Sequence, residues 1–108
     1  IKDLSHPMII VVINNQGGGI FSFLPVADNN PHFEKFWGTP HDYDFSNAAA
    51  QFGLRYASPA TTDEFTAAYH SAVQSGHSMI IEVSSDRSKN LQEHKRLQMS
   101  IKKVLDRR

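Results

Sequence analysis

Two asparagines and three glycines at the end of an apolar run are the residues of this chain best suited to chemistry. Asn14 and Asn15 close the run Met8-Ile9-Ile10-Val11-Val12-Ile13, and Gly17-Gly18-Gly19 follow after Gln16. A carboxamide offers a neutral oxygen to a hard cation, and carbonyls freed in a glycine turn offer more. Mg²⁺ takes few protein ligands and fills its shell with phosphate oxygens and water. Glycine accepts positive φ and lets the backbone approach a ligand closely. A glycine triplet alone reads as a turn; directly after an apolar strand and an Asn pair, it points to a Mg²⁺-diphosphate site.

Two commoner phosphate loops do not fit. A P-loop needs Gly-Lys-Ser/Thr, and no Lys follows the glycines until Lys35. A dinucleotide fingerprint needs a third glycine where this chain has Ser22.

The elements that must position this loop can be read in order. Six consecutive apolar, mostly β-branched residues suit a strand covered on both faces, as in a parallel sheet. Open α/β sheets place ligands at the carboxyl ends of their strands, where Asn14 to Gly19 falls. Ile20 to Leu24 starts a helical turn, with Phe23 expected in the core. Pro25 to Tyr43 is long and irregular, and loops of that length are often functional. Within it a short helix from Pro31 to Trp37 would pack Phe33, Phe36 and Trp37 together. His32 and His41 lack the acidic or Cys cluster of a metal site and read as exposed.

Further on, Asp44 reads as the N-cap of a helix from Phe45 to Phe52, with Gly53 as its stop. Ala48-Ala49-Ala50 gives it a narrow face. Leu54 to Ala57 is a second strand. Thr61 and Glu64 form a capping box for a helix running to about Gln74, ended by Gly76, with Phe65, Ala68, Tyr69, Ala72 and Val73 on one face. Met79 to Val83 is a third strand; Glu82 within it reads as a rim or salt-bridge residue. Asn90 to Leu105 is a last helix, with His94 packed or capping. Strands alternating with helices predict an α/β fold, a parallel sheet with flanking helices. Three strands leave apolar edges, so upstream strands are expected to complete the sheet.

The string Asn14-Asn15-Gln16-Gly17-Gly18-Gly19-Ile20-Phe21-Ser22-Phe23-Leu24-Pro25 carries a resemblance. The Asn pair after a buried strand is similar to the end of the thiamine diphosphate motif, which opens with Gly-Asp-x-Ser/Gly. The Ile-Phe-Ser-x-Leu-Pro continuation closely resembles the MenD family, the 2-succinyl-5-enolpyruvyl-6-hydroxy-3-cyclohexene-1-carboxylate synthases of menaquinone or phylloquinone biosynthesis. The likeness extends through Phe33 to Pro40, Asp44 to Gly53 and Met79 to His94.

The resemblance implies a transferase that uses thiamine diphosphate and Mg²⁺ (or Mn²⁺). The cofactor carbanion attacks 2-oxoglutarate, CO₂ leaves, and the succinyl-semialdehyde unit adds to isochorismate. It implies that Asn15 gives its side-chain oxygen and Gly17 its carbonyl to the metal, and that Asn15, Gly17, Gly18 and Ile20 bind the cofactor. Ile20, Phe21 and Leu24 match an apolar pocket wall beside the substrate, where a dry site suits the chemistry. No catalytic acid or base is assigned to this chain.

The resemblance further implies that residues 1–108 are the C-terminal portion of one thiamine diphosphate- and Mg²⁺-binding domain. The upstream domains, the third metal ligand, the activating acid and the substrate-binding Arg and Lys residues lie elsewhere. Lys2-Asp3-Leu4-Ser5 has an Asp, but it lacks the preceding Gly and stands too close to Asn14 to serve. The expected whole is a homodimer or homotetramer, cytoplasmic in a bacterium or plastidial in a plant, and these 108 residues alone are expected to be inactive. The alternatives are another thiamine diphosphate-dependent decarboxylase or synthase, and a non-catalytic nucleotide-binding or dimerisation module.

Composition agrees with a globular domain: 108 residues, 40% hydrophobic, 11 basic against 11 acidic, and no Cys. No disulfide or thiolate metal site is therefore available. No apolar run in these residues approaches the ~20 needed to cross a bilayer. From Asp86 on there are eight basic and three acidic residues, balanced by three and eight before it. That basic helix has no interleaved aromatics, so it reads as a solvated face rather than a nucleic-acid or membrane surface.

Overall fold

In a computed structural model, residues 6–106 are described. Lys2 to Ser5 and the last two arginines of the basic tail lie outside them. The chain folds as two compact units. One comprises the residues up to Asn14 together with Asp42–Ser84; the other comprises Asn15–His41 together with the residues from Ser85 on.

The first unit is an α/β layer. Strand β1 (Ile9–Asn14), helix α1 (Ser46–Gln51), strand β2 (Arg55–Ala57), helix α2 (Thr62–Ser75) and strand β3 (Met79–Ser84) follow in order. The sheet is parallel throughout, with β3 between β1 and β2. Ile81 of the central strand pairs with Val11 on one side and Ala57 on the other, and it is fully buried. Burying such a side chain contributes about 1.5–3 kcal/mol. Ile80, Ala49 and Ala72 complete the buried apolar set of this unit. Of the expected alanine face only Ala49 is buried.

Strand β1 departs from the expected double coverage. Val11 and Ile13 are exposed, Ile13 by 72%. They line a groove of about 610 Å³ with Phe65 and Val83. β1 is an edge strand of this sheet, and among the described residues the 11/13 face is only partly covered.

Both helix starts differ from the sequence expectation in detail. The N-cap of α1 is Phe45; Asp44 stands one residue earlier and accepts from the Ser46 N–H and hydroxyl, an Asx turn. At α2, Thr61 Oγ1 accepts from the Glu64 N–H as a capping box requires. The Glu64 carboxylate, however, reaches back to the Ala60 N–H at 2.7 Å, one residue beyond the cap. Gly53 (φ +66°) and Gly76 (φ +64°) end the two helices in the left-handed region, as read from the sequence. Of the predicted α2 face, Ala72 is buried, while Tyr69 and Val73 are exposed.

The second unit carries the glycine loop. A 3₁₀ turn spans Ile20–Phe23, a second spans Pro25–Ala27, and a π-helical turn spans Glu34–Gly38. Phe33 stacks on Trp37 (6.3 Å between centroids), and Phe36 meets Trp37 edge-on at 6.2 Å. The three aromatics do cluster, with Phe33 buried.

Helix α3 (Arg87–Leu105) begins three residues before the expected Asn90. Asp86 is its N-cap, with its carboxylate accepting from the Lys89 N–H at 2.9 Å. His94 packs edge-on against Phe23 at 5.2 Å. Phe23 was expected in the core; it is 42% exposed and rests on α3 instead. No described helix is long and apolar enough to cross a membrane.

Candidate functional site

The two asparagines have separate roles. Asn14 ends β1 and is buried, and its Nδ2 donates to Glu82 Oε1 (2.6 Å) and to the Tyr43 carbonyl (2.9 Å). Glu82 Oε2 accepts from the Phe45 N–H (2.8 Å) and the Tyr56 hydroxyl (2.7 Å). Glu82 is 2% exposed and no salt bridge holds it among the described residues. The rim or salt-bridge expectation is thus corrected: the carboxylate is interior and solvated by neutral donors. Sequence misses this because the donors come from β1, the start of α1, and β2.

Burial pushes the Glu82 carboxyl up, but the bonds from Asn14, Phe45 and Tyr56 outweigh it and hold its pKa below the ordinary value. Burial, then the Glu82 partner, pushes the Tyr56 hydroxyl up. The pair is therefore carboxylate and phenol at neutral pH. This cluster fixes where β1 ends, and so where the loop begins.

Asn15 belongs to the loop. Its Oδ1 accepts from the Gly17 N–H at 3.2 Å, a turn that bends the chain at Gln16 (φ +55°) and Gly17 (φ +155°). The carboxamide oxygen and the Gly17 N–H are thereby brought together. The loop is laced to the segment ending in Gly38. Gly18 N–H donates to the Gly38 carbonyl (2.7 Å), and His41 N–H donates to the Gln16 carbonyl (3.1 Å).

That close approach explains the glycines. A Cβ on Gly17 would stand 2.5 Å from the Gly38 carbonyl oxygen, and one on Gly18 would stand 2.6 Å from that of Trp37. Gly19 differs, because a Cβ there would meet only the Asn15 amide nitrogen, at 3.2 Å.

An arginine that sequence reasoning did not single out completes the loop. Arg87, the first residue of α3, donates from Nη1 to the Gly18 carbonyl (3.1 Å), and its Nη2 pairs with Glu34 Oε2 (2.7 Å). No local pattern marks it, since the partners lie 53 and 69 residues away.

Ile20 and Phe21 follow on the 3₁₀ turn and Leu24 caps it; all three are exposed, Ile20 by 73%. They present an open apolar surface next to the loop in sequence. His32 is exposed against Phe36. Among the described residues, no three His, Asp or Glu side chains converge to hold a metal.

The donor set nevertheless suits Mg²⁺ with a diphosphate: two neutral hard oxygens, Asn15 Oδ1 and Gly17 O, on a loop too tight for side chains. An ion that keeps water and phosphate in its shell needs few protein ligands.

A parallel α/β layer whose first strand runs into such a loop is a domain of the α/β class, with the loop at the strand end where such sheets place their ligands. The chain belongs to the thiamine pyrophosphate enzymes: the family's C-terminal TPP binding domain matches residues 1–83. The chain is also similar to proteins named 2-succinyl-5-enolpyruvyl-6-hydroxy-3-cyclohexene-1-carboxylate synthase. Identity is 50% over 101 residues to that of Chlorobium chlorochromatii, covering 94% of this chain and 17% of the relative. It is 44% over 107 residues to that of Chlorobium phaeobacteroides, covering 99% and 18%. It is 48% over 91 residues to that of Rubrobacter xylanophilus, covering 84% and 16%. The chain thus spans about a sixth of the length of these relatives.

Proposed function

We propose that this chain is the C-terminal portion of the cofactor-binding domain of a 2-succinyl-5-enolpyruvyl-6-hydroxy-3-cyclohexene-1-carboxylate synthase. The observation that carries the reading is the 50% identity over 101 residues to a protein of that name. The substrates are then 2-oxoglutarate and isochorismate, and the assembled enzyme is a homodimer or homotetramer.

Thiamine diphosphate, when bound, supplies the carbanion chemistry, while the protein binds and orients it. In this reading Asn15 Oδ1 and Gly17 O hold Mg²⁺, and the glycine backbone leaves room for the diphosphate. Ile20, Phe21 and Leu24 form a wall that excludes water from the substrate side. Glu82 does no proton transfer; it fixes Asn14, so that Asn15 is the asparagine left to the loop. These residues alone contribute no general acid or base, and without the rest of the protein they do not turn over.

The test is an assay of the full-length protein that carries this sequence, with thiamine diphosphate, Mg²⁺, 2-oxoglutarate and isochorismate. Formation of the named product supports the reading. Decarboxylation of 2-oxoglutarate with no transfer to isochorismate identifies a different acceptor and overturns it.

A further inference from the structure

We infer that the Arg87–Glu34 ion pair is a positioning latch that aims the Gly17 carbonyl and thereby tunes metal affinity. The inference rests on the reading of Asn15 and Gly17 as metal ligands.

The Gly18 residue is held at both ends. Its N–H donates to the Gly38 carbonyl at 2.7 Å, and its carbonyl accepts from Arg87 Nη1 at 3.1 Å. The Gly17–Gly18 peptide is trans and planar, so the Gly17 oxygen points opposite to the Gly18 N–H. Fixing Gly18 therefore fixes the direction of Gly17 O, away from Gly38. Glycines supply no torsional preference of their own here. The direction must come from outside the motif: the Gly38 carbonyl sets the Gly17–Gly18 peptide, and Arg87 Nη1 anchors the Gly18 carbonyl at 3.1 Å and stands 3.5 Å from that same Gly38 carbonyl.

Arg87 is itself fixed. Its side chain is 18% exposed, and Nη2 is 2.7 Å from Glu34 Oε2 on the π-turn. The same guanidinium stands 3.3 Å from where a Gly17 Cβ would be. A bare guanidinium that close to a cation ligand would repel Mg²⁺, and the Glu34 carboxylate cancels that charge. The pair thus orients one ligand and removes an unfavourable field, as outer residues do at metal sites.

The experiment uses the full-length protein with Arg87→Met, Glu34→Gln and, as a reference, Asn15→Ala. Mg²⁺ binding is measured by calorimetry in the presence of thiamine diphosphate, and kcat is measured at saturating Mg²⁺. Arg87→Met is expected to weaken Mg²⁺ by about tenfold or more, with kcat at saturation retained. Glu34→Gln is expected to give a smaller loss that adds nothing in the Arg87→Met background.

Unchanged Mg²⁺ affinity in folded Arg87→Met protein overturns the inference. If that variant does not fold, unchanged affinity in Glu34→Gln overturns it equally. Loss of binding in Asn15→Ala without loss in the other two sinks the latch alone. Normal binding in Asn15→Ala removes the ligand reading and the latch with it.

Discussion

Asn14 Nδ2 and Glu82 Oε1 lie 2.6 Å apart, joining the end of β1 to the interior of β3 across 68 residues of chain. The carboxylate also receives the Phe45 N–H and the Tyr56 hydroxyl. Every donor is neutral, so the negative charge is stabilised by dipoles and no cation is needed. Glu82→Ala removes the one buried acceptor shared by the Asn14 amide, the Phe45 N–H and the Tyr56 hydroxyl. We expect a loss of about 2–3 kcal/mol, read as a lower urea midpoint at neutral pH.

The same cluster sets a pH dependence. Folding lowers the Glu82 pKa below its ordinary value, so folding favours the ionised form. Its contribution is complete above the ordinary carboxylate pKa and is lost as pH falls through the folded value. Stability should therefore drop on acidification below the usual carboxylate range, and the drop should be shallower in Glu82→Gln. Equal acid slopes in the two proteins would assign the effect to other carboxylates.

The glycines of the loop are not equivalent. Gly17→Ala and Gly18→Ala each drive a methyl onto a backbone carbonyl, at 2.5 and 2.6 Å. Each should cost about 1–3 kcal/mol of local strain and weaken thiamine diphosphate and Mg²⁺ together. Gly19→Ala meets only the movable Asn15 amide. It should leave thermal stability near wild type and shift Mg²⁺ affinity alone. A Gly19→Ala protein that melts early with unchanged Mg²⁺ affinity would reverse that assignment.

At α2, the Thr61 hydroxyl accepts from the Glu64 N–H, so Thr61→Ala should cost about 1 kcal/mol. Glu64→Gln should matter less, because its carboxylate serves the Ala60 N–H outside the helix. Chemical denaturation of the two variants should rank them in that order.

Much of this molecule was legible in its residues. The unbroken apolar run before Asn14, the Thr61 cap and the glycines at 53 and 76 specify elements through local sterics and hydrogen bonding, which depend on near neighbours alone. They fixed three strands, the flanking helices and the tight turn at Gly17, and the α/β class followed.

What lay beyond them needed the fold. Asn14 and Asn15 are chemically identical; the resemblance picks out Asn15, but only the buried Glu82 on β3 shows what Asn14 does. Arg87 begins a helix like many others, and only the approach of Gly18, Gly38 and Glu34 gives it a task. Glu82 read as a rim residue because an acidic side chain in a strand is normally solvated; its donors are supplied by segments distant in sequence. Local rules set the conformation of each segment. The field, burial and partners of a polar group depend on segments brought together by packing, which the order of residues along the chain does not display.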